Sequence, residues 1–297
     1  MRAQALSAAT GQAVAAVSTL ESRASARGLD LSLQWSAHAQ DGSLLAAAVA
    51  VPAPGRTAAM LFSVGSQPDH AVLTGRVLDA AARDLVADRR LALLQCLPRP
   101  GEEARARALT AGGFRRLARL DYMERTNAPA RSPEPMHLPS AFTLAPWLST
   151  QPELLIALLQ RTFEGTLDCP GLADMRTGPD ILDGHLQSGD GDTSLWRVLR
   201  MDDVPVGAML LSPCAATDSV DLVYLGLAPI ARGRGLGAVL LSHGLHLAAS
   251  VQARTVQLAV DIANAPAVAL YRRAGFAARQ QREAWVRPLS SDATCPQ

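Results

Sequence analysis

The sequence predicts a mixed α/β protein built as two tandem copies of one domain, each a central mixed sheet flanked by helices. Three observations carry this. The run Leu225 to Gly237, LGLAPIARGRGLG, reads as an apolar strand that breaks into a glycine-rich turn and opens a helix. About thirty residues later a second apolar strand, Val256 to Val260, leads through Asp261-Ile262-Ala263-Asn264 into a short helix that closes on Ala274-Gly275-Phe276. Finally, Gly113-Phe114 and Gly275-Phe276 lie 162 residues apart, and that offset aligns other features without a gap. Ser32-Leu33 falls on Ser194-Leu195, Ala46 on Ala208, Phe62 on Tyr224, Gly75 on Gly237, Val77-Leu78 on Val239-Leu240, Leu85 on Leu247 and Gln95 on Gln257.

A chain of 297 residues with 48% hydrophobic content can bury two cores of ordinary size. The stretch Asn127 to Ser140, with four prolines among polar residues, reads as a linker, so the domains are placed at 1–126 and 142–297 with 127–141 between them. In the second copy, residues 152–163 have helical periodicity. Residues 194–200 and 206–212 alternate as strands around the turn Met201-Asp202-Asp203, and 219–227 is the strand entering the glycine loop. A helix over 237–249, a strand over 255–260, a helix over 265–273 and a closing strand over 282–288 complete the order.

The turn after Leu227 suits an anion. Gly233, Gly235 and Gly237 allow positive φ and close backbone approach, so successive N–H groups can converge on one point. The following helix aims its unpaired N–H groups and the positive end of its dipole at the same place, and Arg232 and Arg234 add charged donors. Several phosphate and cofactor chemistries drop out because the chain contains no lysine: Walker-type loops, kinases and Schiff-base enzymes all need one. The spacing of GRGLG also departs from the dinucleotide G-x-G-x-x-G. Net charge is +1 and no basic patch is interleaved with aromatics, so nucleic acid is not expected as a partner. The alanine-rich N-terminus is interrupted by polar residues, no segment reads as a membrane span, and the four cysteines lack metal or disulfide spacing; a cytoplasmic protein is expected.

Together the two motif segments resemble the GNAT superfamily of acyl-CoA-dependent N-acetyltransferases. Arg232, Gly235 and Gly237 match that family's loop, and Asn264, Ala267, Leu270-Tyr271 and Gly275-Phe276 match its next segment. The resemblance implies acetyl-CoA as donor, no metal, and a primary amine of a small molecule or peptide as acceptor, attacking the thioester directly through a tetrahedral intermediate. It places the pantetheine arm against Leu225, Leu227 and Ala228 and the pyrophosphate on Arg232, Gly233, Arg234, Gly235, Leu236 and Gly237. Asn264 would lie by the cofactor or cap its helix. Tyr271 is the candidate acid for the departing thiolate, since a phenol pKa of about 10 is close to a thiol's value of about 8.5. The alternative is a non-catalytic acyl-CoA-binding regulatory module, or a two-domain interaction scaffold.

For the base, Glu164, Asp168, Asp174 and Asp221 are available, and Glu164 and Asp221 join Tyr271 as catalytic candidates. His243 and His246 lie three apart on one helix without a third ligand, and Cys169 lacks a clear histidine partner, so both read as structural. At offset 162, Arg232 to Gly235 become His70, Ala71, Val72 and Leu73, and Asn264 becomes Glu102. The first copy therefore keeps its core pattern and loses the anion cradle.

Overall fold

The computed structural model describes residues 2–10, 22, 28–65, 68–88, 90–127 and 134–289. It divides into two compact units, Met1–Ala118 with Arg282–Gln297, and Arg119–Gln281. This division departs from the one at the proline-rich stretch, of which residues 128–133 lie outside the described residues. Strand pairing is the reason, as the partners below show.

The first unit contains α1 (Arg2–Thr10), β1 (Leu33–His38), β2 (Leu44–Ala53), β3 (Thr57–Phe62), α2 (Pro68–Leu85), β4 (Leu93–Cys96), α3 (Glu103–Ala111) and the start of β5 (Arg115–Thr126). β1, β2 and β3 are antiparallel neighbours and β3 runs parallel to β4. Alternation along β2 serves both faces: Ala46, Ala48 and Ala50 meet α2 and α3, while Ala47 and Val49 meet Leu6 of α1. The free edge of β4 is paired by the end of the last strand of the chain, with Trp285 opposite Cys96 and Pro288 opposite Leu93. Trp285 is buried in this unit's core beside Phe114.

The second unit continues with the rest of β5, then β6 (Phe142–Pro146), α4 (Pro152–Phe163), α5 (Gly178–Leu186), β7 (Arg197–Met201), β8 (Val204–Cys214), β9 (Ser219–Leu227), α6 (Leu236–Ser250), β10 (Thr255–Asp261), α7 (Ala265–Arg273) and the start of β11 (Ala277–Pro288). Neighbours β6, β7, β8 and β9 are antiparallel, β9 and β10 are parallel, and β10 is antiparallel to β5 from Thr255–Thr126 to Asp261–Leu120. Thus the strand that ends the first repeat completes the second unit. The strand that ends the second repeat, expected to close its own sheet, completes the first unit.

On one face of this sheet α6 and α7 pack on Val220, Leu222, Val256 and Leu258; on the other, α4 and α5 pack on Trp196, Val198, Ala208 and Leu210. The ranges of α4, β9 and α7 coincide with those read from the sequence. β6 and α5 were not anticipated, although Thr177-Gly-Pro-Asp180 forms a capping box at the start of α5, a legible helix signal. The β7–β8 hairpin turns on Asp202 and Asp203, both at positive φ, as a tight two-residue loop requires.

The parallel strand pair keeps one register in both repeats, whereas the antiparallel neighbours differ by a residue: Val49 faces Leu61 in the first repeat and Leu211 faces Leu222 in the second. Thr57, Ala58 and Ala59 pair with Leu93, Leu94 and Gln95, and their counterparts at offset 162, Ser219, Val220 and Asp221, pair with Thr255, Val256 and Gln257. Among the described residues no helix is long and apolar enough to cross a membrane.

Candidate active site

Parallel pairing of β9 with β10 ends at Asp221 and Gln257, although β9 runs on to Leu227 and β10 to Asp261. A bulge accompanies the parting. Leu210 of β8 faces Tyr224 while Leu211 faces Leu222, so Val223 is an extra residue. It shifts the alternation, and Val220 and Leu222, then Leu225 and Leu227, face the α6 side while Val223 and Tyr224 both face α4 and α5. The strands thus splay around a cleft of about 520 Å³. Its walls include Leu222 to Leu227, Ala259, Val260, Asn264, Ala267 and Tyr271.

Backbone alternation decides which groups face this opening. The Ala228 N–H donates to Val206 at 2.8 Å, so the groups of Leu225 and Leu227 point to the open side. Both residues line the cleft, and the Leu227 carbonyl accepts from Arg232 Nε. The Ala228 N–H is spent on β8 and its side chain is buried, so that residue offers the opening no donor. Gly226 is required by packing, since a Cβ there would collide with the Tyr224 ring.

At the end of β9, Gly233 and Gly235 take φ of +72° and +75° and Gly235 is the N-cap of α6. Among the described residues, no backbone carbonyl accepts from the N–H groups of Gly233 to Gly237, and an added Cβ at Gly233 or Gly235 would meet nothing within 4 Å. The open face of the loop, its converging donors and the helix dipole fit a diphosphate.

Arg232 differs from the expectation of an anion donor. Its Nε donates to the Leu227 carbonyl at 2.9 Å, and its Nη atoms donate to Gly165 at 3.3 Å and Thr162 at 2.9 Å. The guanidinium is a clamp between the end of β9 and the segment after α4. Arg234 is exposed. Arg232→Met is expected to lower unfolding stability by about 2 kcal/mol, the scale of losing charge-assisted bonds, with a parallel loss of ligand affinity, both readable by denaturant titration and calorimetry.

Three other contacts shape the cleft. Asp168 accepts the Asp261 N–H at 2.9 Å, and Asp261 in turn accepts from the N–H groups of Cys169 and Ala263, which ties the segment after α4 to the end of β10. Although the Asp168 side chain reaches solvent, enclosure by the surrounding cleft and the neighbouring Asp261 raise its pKa. Burial also pushes the Cys169 thiol up to about 12, away from the thiolate form that a nucleophile needs. Asn264 caps α7 by accepting the Ala267 N–H at 3.3 Å and also lines the cleft.

The two tyrosines are not equivalent. Thr162 donates its only hydroxyl proton to Leu159, so the Tyr224 O–H, 2.6 Å away, donates to Thr162 Oγ1. Its pKa is pushed up to about 12 by burial. Beside it His185 of α5, unnoticed in the sequence, is held neutral, its pKa driven down to about 4 by burial and Arg176. Tyr271 packs edge-on against Phe276 and lines the cleft; its pKa is raised by burial first and by Asp168 next.

Of the remaining candidates, Asp221 opens on an adjoining hollow of about 410 Å³ that shares Leu222, Val223 and Ala259 with the cleft. Burial raises its pKa. Glu164 is exposed and, with Asp174, lines a third hollow instead; the structure does not bring it to Tyr271. His243 bonds the Met136 carbonyl, a structural role.

In the first unit an arginine reaches the corresponding strand end. Arg105, which stands where the second repeat has Ala267, donates to the Phe62 carbonyl at 2.9 Å, lies 5.3 Å from that ring's centroid, and pairs with Glu102.

A splayed parallel strand pair joined to a helix-opening anion loop can take an extended arm that ends in a diphosphate. Residues 158–276 match the Acetyltransferase (GNAT) family, and the second repeat belongs to it. The chain as a whole has a tandem GNAT layout. A segment of 56 residues is 48% identical to the mycothiol acetyltransferase of Clavibacter michiganensis subsp. michiganensis (strain NCPPB 382), covering 19% of this chain and 18% of that protein. This chain therefore matches about a fifth of that relative's length. A GCN5-related N-acetyltransferase from Sphaerobacter thermophilus shares the fold with a TM-score of 0.61 at 20% identity, over 97% of this chain and 92% of that one. A tandem GNAT protein from the clavulanic acid biosynthesis pathway aligns with a TM-score of 0.52 at 15% identity, over 87% and 83%.

Proposed function

We propose that the chain is an acyl-CoA-dependent N-acetyltransferase that uses acetyl-CoA and acts on the primary amine of a small molecule or peptide. The observation that carries this is the continuity of the open edge of β9 with the unpaired N–H groups of Gly233 to Gly237. Leu225 offers its backbone groups to an extended arm as an added strand would, and residues 233–237 hold the diphosphate. Acetyl-CoA supplies an acyl carbon activated as a thioester. The Leu227 N–H faces the cleft as a donor for the oxygen that gains charge.

Asp221 receives the amine's proton from the adjoining hollow, directly or through water, because its carboxylate has no recorded partner among the described residues and shares the wall of the cleft. Tyr271 protonates the departing sulfur. Burial raises its pKa, which keeps the O–H intact and makes the phenol a weaker acid than a free one, and unlike Tyr224 it has no side-chain hydrogen-bond partner among the described residues.

Titration of acetyl-CoA tests the reading: one site per chain is expected, since the first repeat lacks the loop glycines and Arg105 occupies the Phe62 carbonyl at the corresponding strand end. Failure of the protein to bind any CoA ester overturns the reading. Tyr271→Phe should leave acetyl-CoA affinity within about threefold while lowering turnover on the order of 100-fold or more, the scale of general-acid catalysis. In wild type, kcat/KM should rise with pH through an acidic limb placed above the ordinary carboxylate value of about 3.9, because the Asp221 pKa is raised and only its ionised form takes a proton. Asp221→Asn should remove that limb.

A further inference from the structure

Glu124 of β5, Gln257 of β10 and Asp221 of β9 form one cross-strand row: Gln257 is the register partner of both carboxylates. Direct partners share a face of the sheet. With strands 4.7–4.9 Å apart, the Glu124 and Asp221 backbones stand roughly 10 Å from each other. Tyr122, opposite Ala259, extends the row towards the cleft, and all of these residues line the 410 Å³ hollow.

Charge in this hollow is unbalanced. Arg279 is its one cation, and both Nε and Nη2 of that side chain donate to Glu124 Oε1, at 3.2 and 3.1 Å. Among the described residues nothing is recorded on Glu124 Oε2 or on either oxygen of Asp221. The hollow thus presents acceptor oxygens at two points separated by a glutamine, beside the shared wall of Leu222, Val223 and Ala259.

We propose that this hollow is the acceptor site and that it selects an amine carrying a second amino group, with Glu124 recognising the distal ammonium while Asp221 faces the reacting nitrogen. The proposal rests on the acetyltransferase reading. Glu124 is then a specificity-determining residue supplied by the last strand of the first repeat, and Gln257 between the carboxylates offers an amide to the connecting chain.

The test compares acetylation of cadaverine and of n-pentylamine, matched in length, by the full-length protein. Wild type should favour cadaverine by at least tenfold in kcat/KM. Glu124→Gln should collapse that ratio by roughly 10- to 100-fold, the worth of one charge-assisted hydrogen bond. Arg279→Gln breaks the same ion pair but keeps the carboxylate, and should retain the ratio. Equal use of the two amines by wild type, an unchanged ratio in Glu124→Gln, or an equal collapse in Arg279→Gln overturns the proposal. Binding of acetyl-CoA without diamine turnover also overturns the proposal alone, whereas absence of acetyl-CoA binding fells the reading beneath it.

Discussion

Gly235→Glu is expected to abolish acetyl-CoA binding, with an affinity loss of at least about 100-fold. The residue caps α6 at φ +75°, so any side chain there costs about 1–2 kcal/mol in backbone strain. That cost leaves a domain of ordinary stability folded. Space is not the obstacle, because a Cβ would meet nothing within 4 Å. The new carboxylate instead projects in front of the loop, competes for the N–H groups of Gly233 to Gly237, and repels the diphosphate. Gly235→Ala carries the same strain without the charge and should retain measurable binding. Calorimetric titration of both variants separates strain from occupation of the anion site; unchanged affinity in Gly235→Glu would falsify the loop assignment.

Cutting the chain within 128–133 should leave neither half able to fold alone, with cooperative unfolding restored when the halves are produced together. The downstream half loses β5, whose seven register pairs cover the edge of β10 from Thr255 to Asp261, along with the Asn127 bonds to Ala253 and Arg254. The upstream half loses Trp285, which is buried in its core, and the strand that covers β4. Deleting a buried tryptophan side chain costs about 3–5 kcal/mol, a large part of the 5–15 kcal/mol that stabilises a typical domain. An upstream half that shows dispersed amide resonances and a sharp thermal transition by itself would contradict the exchange of strands.

What the sequence made legible was local. The helices over 152–163 and 265–273, the strand over 219–227 and the glycine loop each carry their signal in adjacent residues. Strand exchange does not, since nothing in Trp285 to Pro288 says which edge it will meet. The bulge at Val223 is equally silent within the apolar run LVYLGL, yet it turns Tyr224 towards α4 and α5. Arg232 sits at a motif position and was read as an anion donor, but the carbonyls it meets at Thr162 and Gly165 are nearly seventy residues away in sequence. Glu164 failed for a related reason. A polar segment after an apolar helix marks a cleft wall without saying which hollow each side chain enters, and here Asp168 lines the cleft while Glu164 does not. In the first repeat, loss of the glycines was visible, whereas the bond from Arg105 to the Phe62 carbonyl needed the structure.

The parallel strand pairs of the two repeats share one register at one fixed offset, the mark of a duplicated segment whose copies have since diverged. A copy without its ligand cradle is ordinarily free to erode and be lost. Here the inheritance is entangled: losing the first repeat would strip Tyr122 and Glu124 from the hollow beside the working cleft and expose the β10 edge, while losing the end of the second would unmake the first. Each copy is therefore held in place by the strand it lends to the other, so a repeat without a ligand cradle is kept by what it holds together.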